Sequence, residues 1–167
     1  MTQRGRPLPF DPIDEAARQW GLRWQGVPQM HAVTSLMRVQ QLVLNRLDEI
    51  LKPHGLTFAR YEALVLLTFS RAGSLPLGKM GQRLQVHPTS VTSIVDRLER
   101  AGLVERRRHP EDGRTVLAEI TDSGRALVET ATADLVEADF GLGALAEDDL
   151  MRLSVMLAPV RRAAGDF

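Results

Sequence analysis

Cysteine is absent from the 167 residues of this sequence. Its absence excludes disulfides, thiolate metal sites and a cysteine redox switch. No uninterrupted apolar run is long enough to cross a bilayer, so we expect no membrane partner. The opening segment MTQRGRPLPFDP has basic residues but no apolar stretch behind them, which argues against a secretory signal and favours a cytoplasmic location.

The motifs of the common enzyme classes are also missing. His31, His54, His87 and His109 show neither the HExxH pattern nor the short helical spacings that bind metals. There is no GxSxG turn, no phosphate-binding glycine loop and no dinucleotide fingerprint. The acidic run 147–149 lies at a predicted helix start, where carboxylates favour the helix dipole. We therefore expect no catalytic residues, no metal site and no cofactor.

The formal net charge is zero, but the charges are unevenly distributed along the chain. Residues 1–114 hold 17 Lys and Arg against 11 Asp and Glu, whereas residues 115–167 hold 4 against 10. The positive excess of the first part fits contact with a polyanion. Ordinary scatter of surface charge explains the same count, so the asymmetry alone does not decide between the two.

Hydrophobic periodicity and turn residues predict a mainly α-helical chain with a small β wing. Asp11 and Pro12 have the residue types of a helix cap and first turn, and Gly26 with Pro28 is expected to break the chain before the next helix. Thr57 is expected to cap the third helix. The predicted helices cover 13–24, 30–51, 57–69, 78–84, 88–101, 121–139 and a last segment from 146 or 147, and the predicted strands cover 103–108 and 115–120.

Residues 74–124 combine two short helices, a tight turn and a basic hairpin, which is the order of a winged helix-turn-helix. In the second helix, apolar residues at 91, 94, 95 and 98 form one buried stripe. The other faces carry small hydroxyls and arginine, which suit contact with DNA phosphates and base edges. The candidate DNA-binding residues of this helix are His87, Pro88, Thr89, Ser90, Thr92, Ser93 and Arg97.

These residues also have local structural explanations. Thr89 and Ser90 are of the types that cap helices, and His87 is itself in a cap position. Arg97 is able to pair with a carboxylate of a neighbouring element. A local role, as a helix cap or for Arg97 as an ion-pair partner, and DNA contact therefore remain alternatives for each residue.

The hairpin carries a cluster of cations. Arg106 and Arg108 lie on its first arm and Arg114 at its tip, where a narrow minor groove attracts arginine. Asp112 is close enough to orient Arg114 or a nearby arginine. A charge cluster alone is typical of a solvated surface, but its position directly after a helix-turn-helix favours DNA contact, so all four residues join the candidate site.

The segment LQVHPTSVTSIVDRLERAGLVERRRHPEDGRTVLAEITDSG, residues 84–124, resembles the core of the MarR (multiple antibiotic resistance regulator) family. The match includes the wing tip 112–114 and the helix start 121–124, and the flanking helices extend it over residues 30–163. The resemblance implies a triangular homodimer with interlocking first and last helices, whose two winged helices read a palindromic site. It also implies a repressor, and many members release DNA when a small phenolic or other lipophilic ligand binds.

Two features depart from the family pattern. His87 occupies a position that is often Ser, and the N-terminal extension, which holds two tryptophans, is longer than the family minimum. A subgroup resembling urate-responsive regulators carries a ligand-contacting Trp on an extra N-terminal helix. Aromatic residues chiefly bury area, so core or interface roles are the alternative. The candidate ligand-binding residues are Trp20, Trp24, His31, Arg38 and Tyr61.

A homodimer also follows from the apolar pattern. Leu150, Leu153, Leu157 and Val160 have the spacing of a helix seam, and helix 30–51 carries a second stripe. Packing of these helices within a monomer is the alternative. A two-fold protein gives short recognition helices enough contacts with duplex DNA. We therefore divide the chain into an arm with a short extra helix (1–29), a first dimerisation helix (30–56), the winged helix-turn-helix (57–120) and the C-terminal dimerisation helices (121–167).

These observations predict a sequence-specific transcriptional regulator that binds double-stranded DNA, with helix 88–101 in the major groove and the wing 106–115 at the minor groove. A winged helix that binds another protein is the main rival. Such a module needs neither Arg114 at the wing nor hydroxyls on the helix face.

Overall fold

The computed structural model describes residues 8–167, so the first part of the predicted N-terminal arm lies outside the described residues. Residues 8–167 form seven α-helices and a three-stranded antiparallel sheet, which confirms the predicted mainly α class with a small β wing. The chain divides into two compact units, one ending at Asn45 and the other beginning at Arg46. The boundary falls inside a long helix that contributes residues to both units.

The first helix, α1 (Pro12–Gly21), begins as predicted. The Asp11 carboxylate accepts a hydrogen bond from the N–H of Ile13 at 2.8 Å, and the first-turn proline is placed where a missing N–H is harmless. The helix ends before the predicted residue 24. The indole N–H of Trp20 donates to the carbonyl of Gln25 at 2.8 Å, which stabilises the turn that follows.

The second helix, α2 (Val27–Leu51), begins earlier than predicted. Pro28 does not break the chain, because it lies in the first turn of α2, where the backbone N–H groups lack intrahelical partners. The left-handed φ of Gly26, 76°, makes the break instead. The predicted end of α2 is confirmed: one 3₁₀ turn (Lys52–His54) and the left-handed Gly55 follow Leu51.

The third helix, α3 (Phe58–Thr68), corrects the predicted cap. Thr57 occupies the N-cap position directly before the helix, but its side chain makes no capping hydrogen bond. The carboxylate of Asp48 on α2 accepts the N–H of Phe58 at 2.7 Å instead. The cap therefore comes from a preceding helix, which local residue order does not reveal.

The winged part of the second unit comprises β1 (Ser74–Pro76), α4 (Leu77–Leu84), α5 (Pro88–Arg100), β2 (Val104–Arg108) and β3 (Val116–Ile120). The strand order is β1-β3-β2, with both pairs antiparallel. Val104 pairs with Ile120 at the base of the hairpin, and Arg108 pairs with Val116 near its tip. Because β1 pairs only with residues 117–119 of β3, the outer end of the hairpin projects beyond the sheet.

The last helices are α6 (Asp122–Glu137) and α7 (Glu147–Ala163), separated by a 3₁₀ turn (Asp139–Gly141) and a short loop. Thr121 caps α6, since its hydroxyl oxygen accepts the N–H of Gly124 at 3.0 Å. The same hydroxyl donates to the carbonyl of Gly102 at 2.8 Å, which joins the end of α5 to the start of α6.

The core of the second unit packs α3, α5 and α6 against the sheet. Its fully buried large side chains are Leu51, Leu64, Leu67, Met80, Val91, Val95, Leu98, Val104 and Leu135. Three of them belong to the stripe predicted for helix 88–101; Ile94, the fourth member, is half-buried.

Several large apolar side chains of α2 and α7 are exposed. α7 has no buried residue, and within the predicted seam Leu150, Leu153 and Leu157 are half-buried whereas Val160 is exposed. The exposed large apolar side chains of α7 are Met151, Val155, Met156 and Val160, of which Val160 also belongs to the predicted seam. In the first unit, α2 exposes Val33, Leu36, Met37, Val39, Leu42 and Leu44. Within residues 8–167, no helix combines the length and apolar character needed to cross a membrane.

Candidate nucleic-acid interface

The N-terminal end of α5 is organised by His87. Its Nδ1 accepts the N–H of Thr89 at 3.4 Å and lies 2.9 Å from the hydroxyl of the same residue. Because a backbone N–H only donates, Nδ1 is unprotonated in this arrangement and the imidazole proton resides on Nε2. His87 is exposed and caps the helix through Nδ1, and its Nε2 has no hydrogen-bond partner within the described residues. The two alternatives weighed for His87 are therefore compatible.

The outer face of α5 carries most of the remaining candidates. Pro88, Thr89, Ser90, Thr92, Ser93 and Arg97 are all exposed. The Thr92 hydroxyl donates to the carbonyl of Pro88 at 3.1 Å and keeps its oxygen as an acceptor. Within residues 8–167, no carboxylate pairs with the guanidinium of Arg97, so its charge is available to a ligand.

The contact between α4 and α5 is close at Gly81. A Cβ at this position would lie 3.2 Å from Cγ2 of Val91 and 3.3 Å from the carbonyl oxygen of Val86. Glycine therefore lets the two helices of the helix-turn-helix approach each other, which fixes the direction of α5.

The wing tip is ordered by Asp112. Its carboxylate accepts from the hydroxyl of Thr115 at 2.7 Å and from the backbone N–H of Arg114 at 3.1 Å. The hydrogen bond from Thr115, which has the larger effect, and the one from Arg114 hold the pKa of Asp112 below its ordinary value. Asp112 thus orients the backbone at Arg114 rather than an arginine side chain. The exposed guanidinium groups of Arg108 and Arg114 have no partner within the described part of the chain.

Arg106 is placed differently from the other wing cations. Its guanidinium lies 2.5 Å from a carboxylate oxygen of Asp96 and 2.5 Å from one of Glu99, both on α5. Burial by itself would lower the pKa of Arg106, but the hydrogen bonds to the two carboxylates outweigh burial and raise it. Arg106 therefore connects the wing to the recognition helix, and its charge is already neutralised.

Sequence reasoning did not identify Asp96 and Glu99 as parts of this site. The available signal was strand alternation, which places Arg106 and Arg107 on opposite faces of β2. Arg107 indeed faces other carboxylates, with its Nε 3.1 Å from an oxygen of Glu119. Alternation separates the two arginines, but it does not show which carboxylates lie across from each.

The candidate ligand-binding residues are already engaged in local contacts, with one exception. In the first unit, the rings of Trp20 and Trp24 lie 4.8 Å apart between centroids, and His31 Nε2 lies 2.9 Å from an oxygen of Asp14. Arg38 is exposed. In the second unit, Tyr61 is buried and its hydroxyl lies 2.8 Å from that of Thr132 on α6. No group of three or more acidic or histidine side chains within residues 8–167 is arranged to hold a metal ion.

Comparison with known proteins agrees with this architecture. The MarR family model matches residues 59–116. Sco5413, a MarR family transcriptional regulator from Streptomyces coelicolor, is 59% identical, with a TM-score of 0.80 over 85% of this chain and 99% of that one. CouR from Rhodococcus jostii RHA1, solved bound to p-coumaroyl-CoA, is 29% identical, with a TM-score of 0.66 over 77% of this chain and 88% of its own.

A third structure shares the fold at lower identity. Sco3205, a MarR family regulator from Streptomyces coelicolor solved in complex with DNA, is 23% identical, with a TM-score of 0.75 over 84% of this chain and 90% of that one. The predicted winged helix-turn-helix and the predicted family are both confirmed. This chain belongs to the MarR family of transcriptional regulators.

Proposed function

We propose that this chain represses transcription by binding a pseudo-palindromic operator as a homodimer, with α5 in the major groove and the wing 106–115 at the minor groove. One observation carries the proposal. The unpaired guanidinium groups of Arg97, Arg108 and Arg114 lie on α5 and the wing that follows it, whereas two carboxylates of α5 are already paired with Arg106. The proposed function involves no catalytic step. Its proposed location is the cytoplasm.

Different parts of the interface have different tasks in this proposal. The exposed residues of α5 approach base edges, and His87 Nε2–H is a donor for acceptors such as those of guanine. Arg114 enters the minor groove from a tip that Asp112 holds in place. Arg108 contributes charge to the phosphate backbone. Arg106 is a positioning residue, because its guanidinium is committed to Asp96 and Glu99.

A second copy of the chain explains the exposed apolar faces. α7 leaves Met151, Val155, Met156 and Val160 in solvent, and the first unit leaves six large apolar side chains of α2 exposed. Exposed apolar surface on this scale marks an interaction site. Homodimerisation through these helices removes it from water, and the two-fold axis supplies a second recognition helix for the second half-site.

Selection of duplexes from a randomised library tests the proposal. The selected sequences should share a pseudo-palindrome with half-sites about one helical turn apart. Affinity for the best duplex should fall steeply with salt, because cationic contacts release counterions. Failure to enrich any duplex would favour a protein-binding winged helix.

Arg97→Ala and Arg114→Ala separate base reading from wing contact. Loss of Arg97 should weaken operator binding by about 1–3 kcal/mol and relax preference at one position of each half-site, if it reads a base. Loss of Arg114 should also weaken binding. It should lower the salt slope, which is the steepness with which the logarithm of the affinity falls with the logarithm of the salt concentration, by about one. Fluorescence anisotropy over a salt series measures both. Arg71→Ala is the control, since it removes one exposed cation from the loop before β1; equal losses in all three would remove α5 and the wing from the mechanism.

Arg106→Gln tests positioning against direct contact. The variant loses both ion pairs to α5 and should weaken operator binding while leaving the salt slope unchanged, because no phosphate contact is removed. Arg108→Gln, the matched variant on the same strand, should lower the slope by about one. An equal fall of the slope in both variants would identify Arg106 as a phosphate contact.

A small-molecule effector is part of the proposal, since CouR at 29% identity is solved with p-coumaroyl-CoA bound. Trp24 is exposed and lies against Trp20, which makes tryptophan fluorescence a reporter for ligands near the N-terminal helices. Titration with phenolic acids and their CoA esters, followed by release of bound operator, tests this part. Quenching without release would separate ligand binding from regulation.

A further inference from the structure

The chain turns back at the end of α7. Gly165 has a left-handed φ of 75°, and the N–H groups of Gly165 and Asp166 donate to the carbonyls of Arg162 and Arg161 at 3.0 and 3.1 Å. This is the geometry of a Schellman ending, in which glycine adopts the left-handed conformation without a Cβ penalty. Asp166 is therefore held in a defined position directly after the helix.

The Asp166 carboxylate joins two separate elements of the second unit. One oxygen accepts from Nε of Arg161 at 2.6 Å, and the other accepts from the side-chain amide of Gln85. The Asp166 side chain is only 20% exposed. Gln85 follows α4 with a left-handed φ of 53° and belongs to the turn that leads into α5. A residue of the tail thus binds the turn that positions the recognition helix.

A groove of about 720 Å³ separates this tail from α4 and α5. Gly165 and Asp166 line it on one side, and Pro88 and Thr92 line it on the side of α5. The carboxylate therefore stands beside the first turn of the helix proposed to enter the major groove. Because Arg161 pairs with this carboxylate, the tail acts on the turn by holding Gln85 and by occupying the space beside it, not by net charge.

We propose that the Asp166–Gln85 contact is a latch that lowers the affinity of the helix-turn-helix for DNA until the tail is released. This inference rests on the proposed DNA-reading role of α5. Because α7 is also the helix proposed to join two copies, a displacement of α7 pulls Asp166 from Gln85. The latch thereby links the dimerisation helix to the DNA-binding turn.

Two variants that break the contact test the latch. Asp166→Ala removes the acceptor, and Gln85→Asn shortens the donor while keeping a residue type that tolerates a left-handed backbone. Both should bind the best duplex selected by the wild-type chain at least about fivefold more tightly, as expected for coupling between two sites. Gln82→Asn, which shortens an exposed amide on the same groove without touching the contact, should bind as the wild type does.

Further measurements distinguish the latch from its rivals. Hydrogen exchange of the amides of Gly165 and Asp166 should accelerate in Gln85→Asn and stay slow in Gln82→Asn. Asp166→Asn keeps an acceptor oxygen and should gain less affinity than Asp166→Ala. Equal gains in these two, with none in Gln85→Asn, would assign the effect to charge alone and overturn the latch.

Weaker binding by Asp166→Ala and Gln85→Asn would also overturn the latch, because the contact would then be a support for the helix-turn-helix. A wild-type chain that binds duplex no less tightly than both variants refutes the latch alone. A wild-type chain that binds no duplex refutes the proposed function itself.

Discussion

Replacing Met151 and Val155 of α7 together by aspartate is expected to separate the homodimer and to lower operator affinity by at least about 100-fold. Both side chains are more than 60% exposed in the single chain, so the substitution costs little in the monomer. In a dimer, the same positions would bury unpaired carboxylates, which is strongly unfavourable. A monomer then binds each half-site separately and loses the gain from simultaneous contact.

Sedimentation analysis and anisotropy with the selected operator measure the two consequences. Met151→Leu combined with Val155→Ile is the matched control, because it keeps the apolar face at the same two positions. The control should remain dimeric and bind as the wild type does. If the aspartate variant sediments as a dimer at the same concentration, this face of α7 is not the interface.

Gly124→Ala is expected to destabilise the second unit by about 3 kcal/mol, the upper end of the usual range for overpacking. A Cβ at Gly124 would overlap the backbone carbonyl oxygen of Leu103 and lie 2.8 Å from Cγ1 of Ile120. The carbonyl of Leu103 also accepts the N–H of Thr121 at 3.1 Å, so it cannot move without loss of a hydrogen bond. The strain falls where α5, the hairpin and α6 meet.

Urea denaturation at fixed protein concentration measures this loss, since the stability of a dimer depends on concentration. Gly78→Ala is the control: it lies in α4, and its Cβ would have no neighbour within 4 Å. Alanine there should leave stability unchanged or raise it by up to about 1 kcal/mol through helix propensity. Equal effects at the two glycines would show that the contact of Gly124 with Leu103 yields without strain.

Local residue order was sufficient for much of the architecture. The Asp11 cap, the end of α2 near Gly55 and the hairpin were predicted because caps, turns and helix stripes depend on neighbours within a few positions. The stripe of α5 was predicted for the same reason, and its exposed face followed from it. The resemblance of residues 84–124 to the MarR family likewise required only the order of residues.

Local residue order did not predict contacts between residues that are distant in the sequence. The capping of α3 by Asp48, the pairing of Arg106 with α5 and the partner of the Tyr61 hydroxyl all join residues that no helical or strand period relates. The apolar spacing of α7 likewise does not show how far each side chain is buried within the single chain: Leu150, Leu153 and Leu157 are half-buried, whereas Met151, Val155 and Met156 are exposed.

The sequence by itself determined that this chain has a helix-turn-helix followed by an arginine-bearing hairpin, because those features are written in short-range periodicity and turn chemistry. Only the tertiary structure decided which cations remain available to DNA. That distinction depends on carboxylates that folding brings beside Arg106. Folding also brings a tail residue, Asp166, beside Gln85 from 81 positions away, a contact that no short-range pattern encodes.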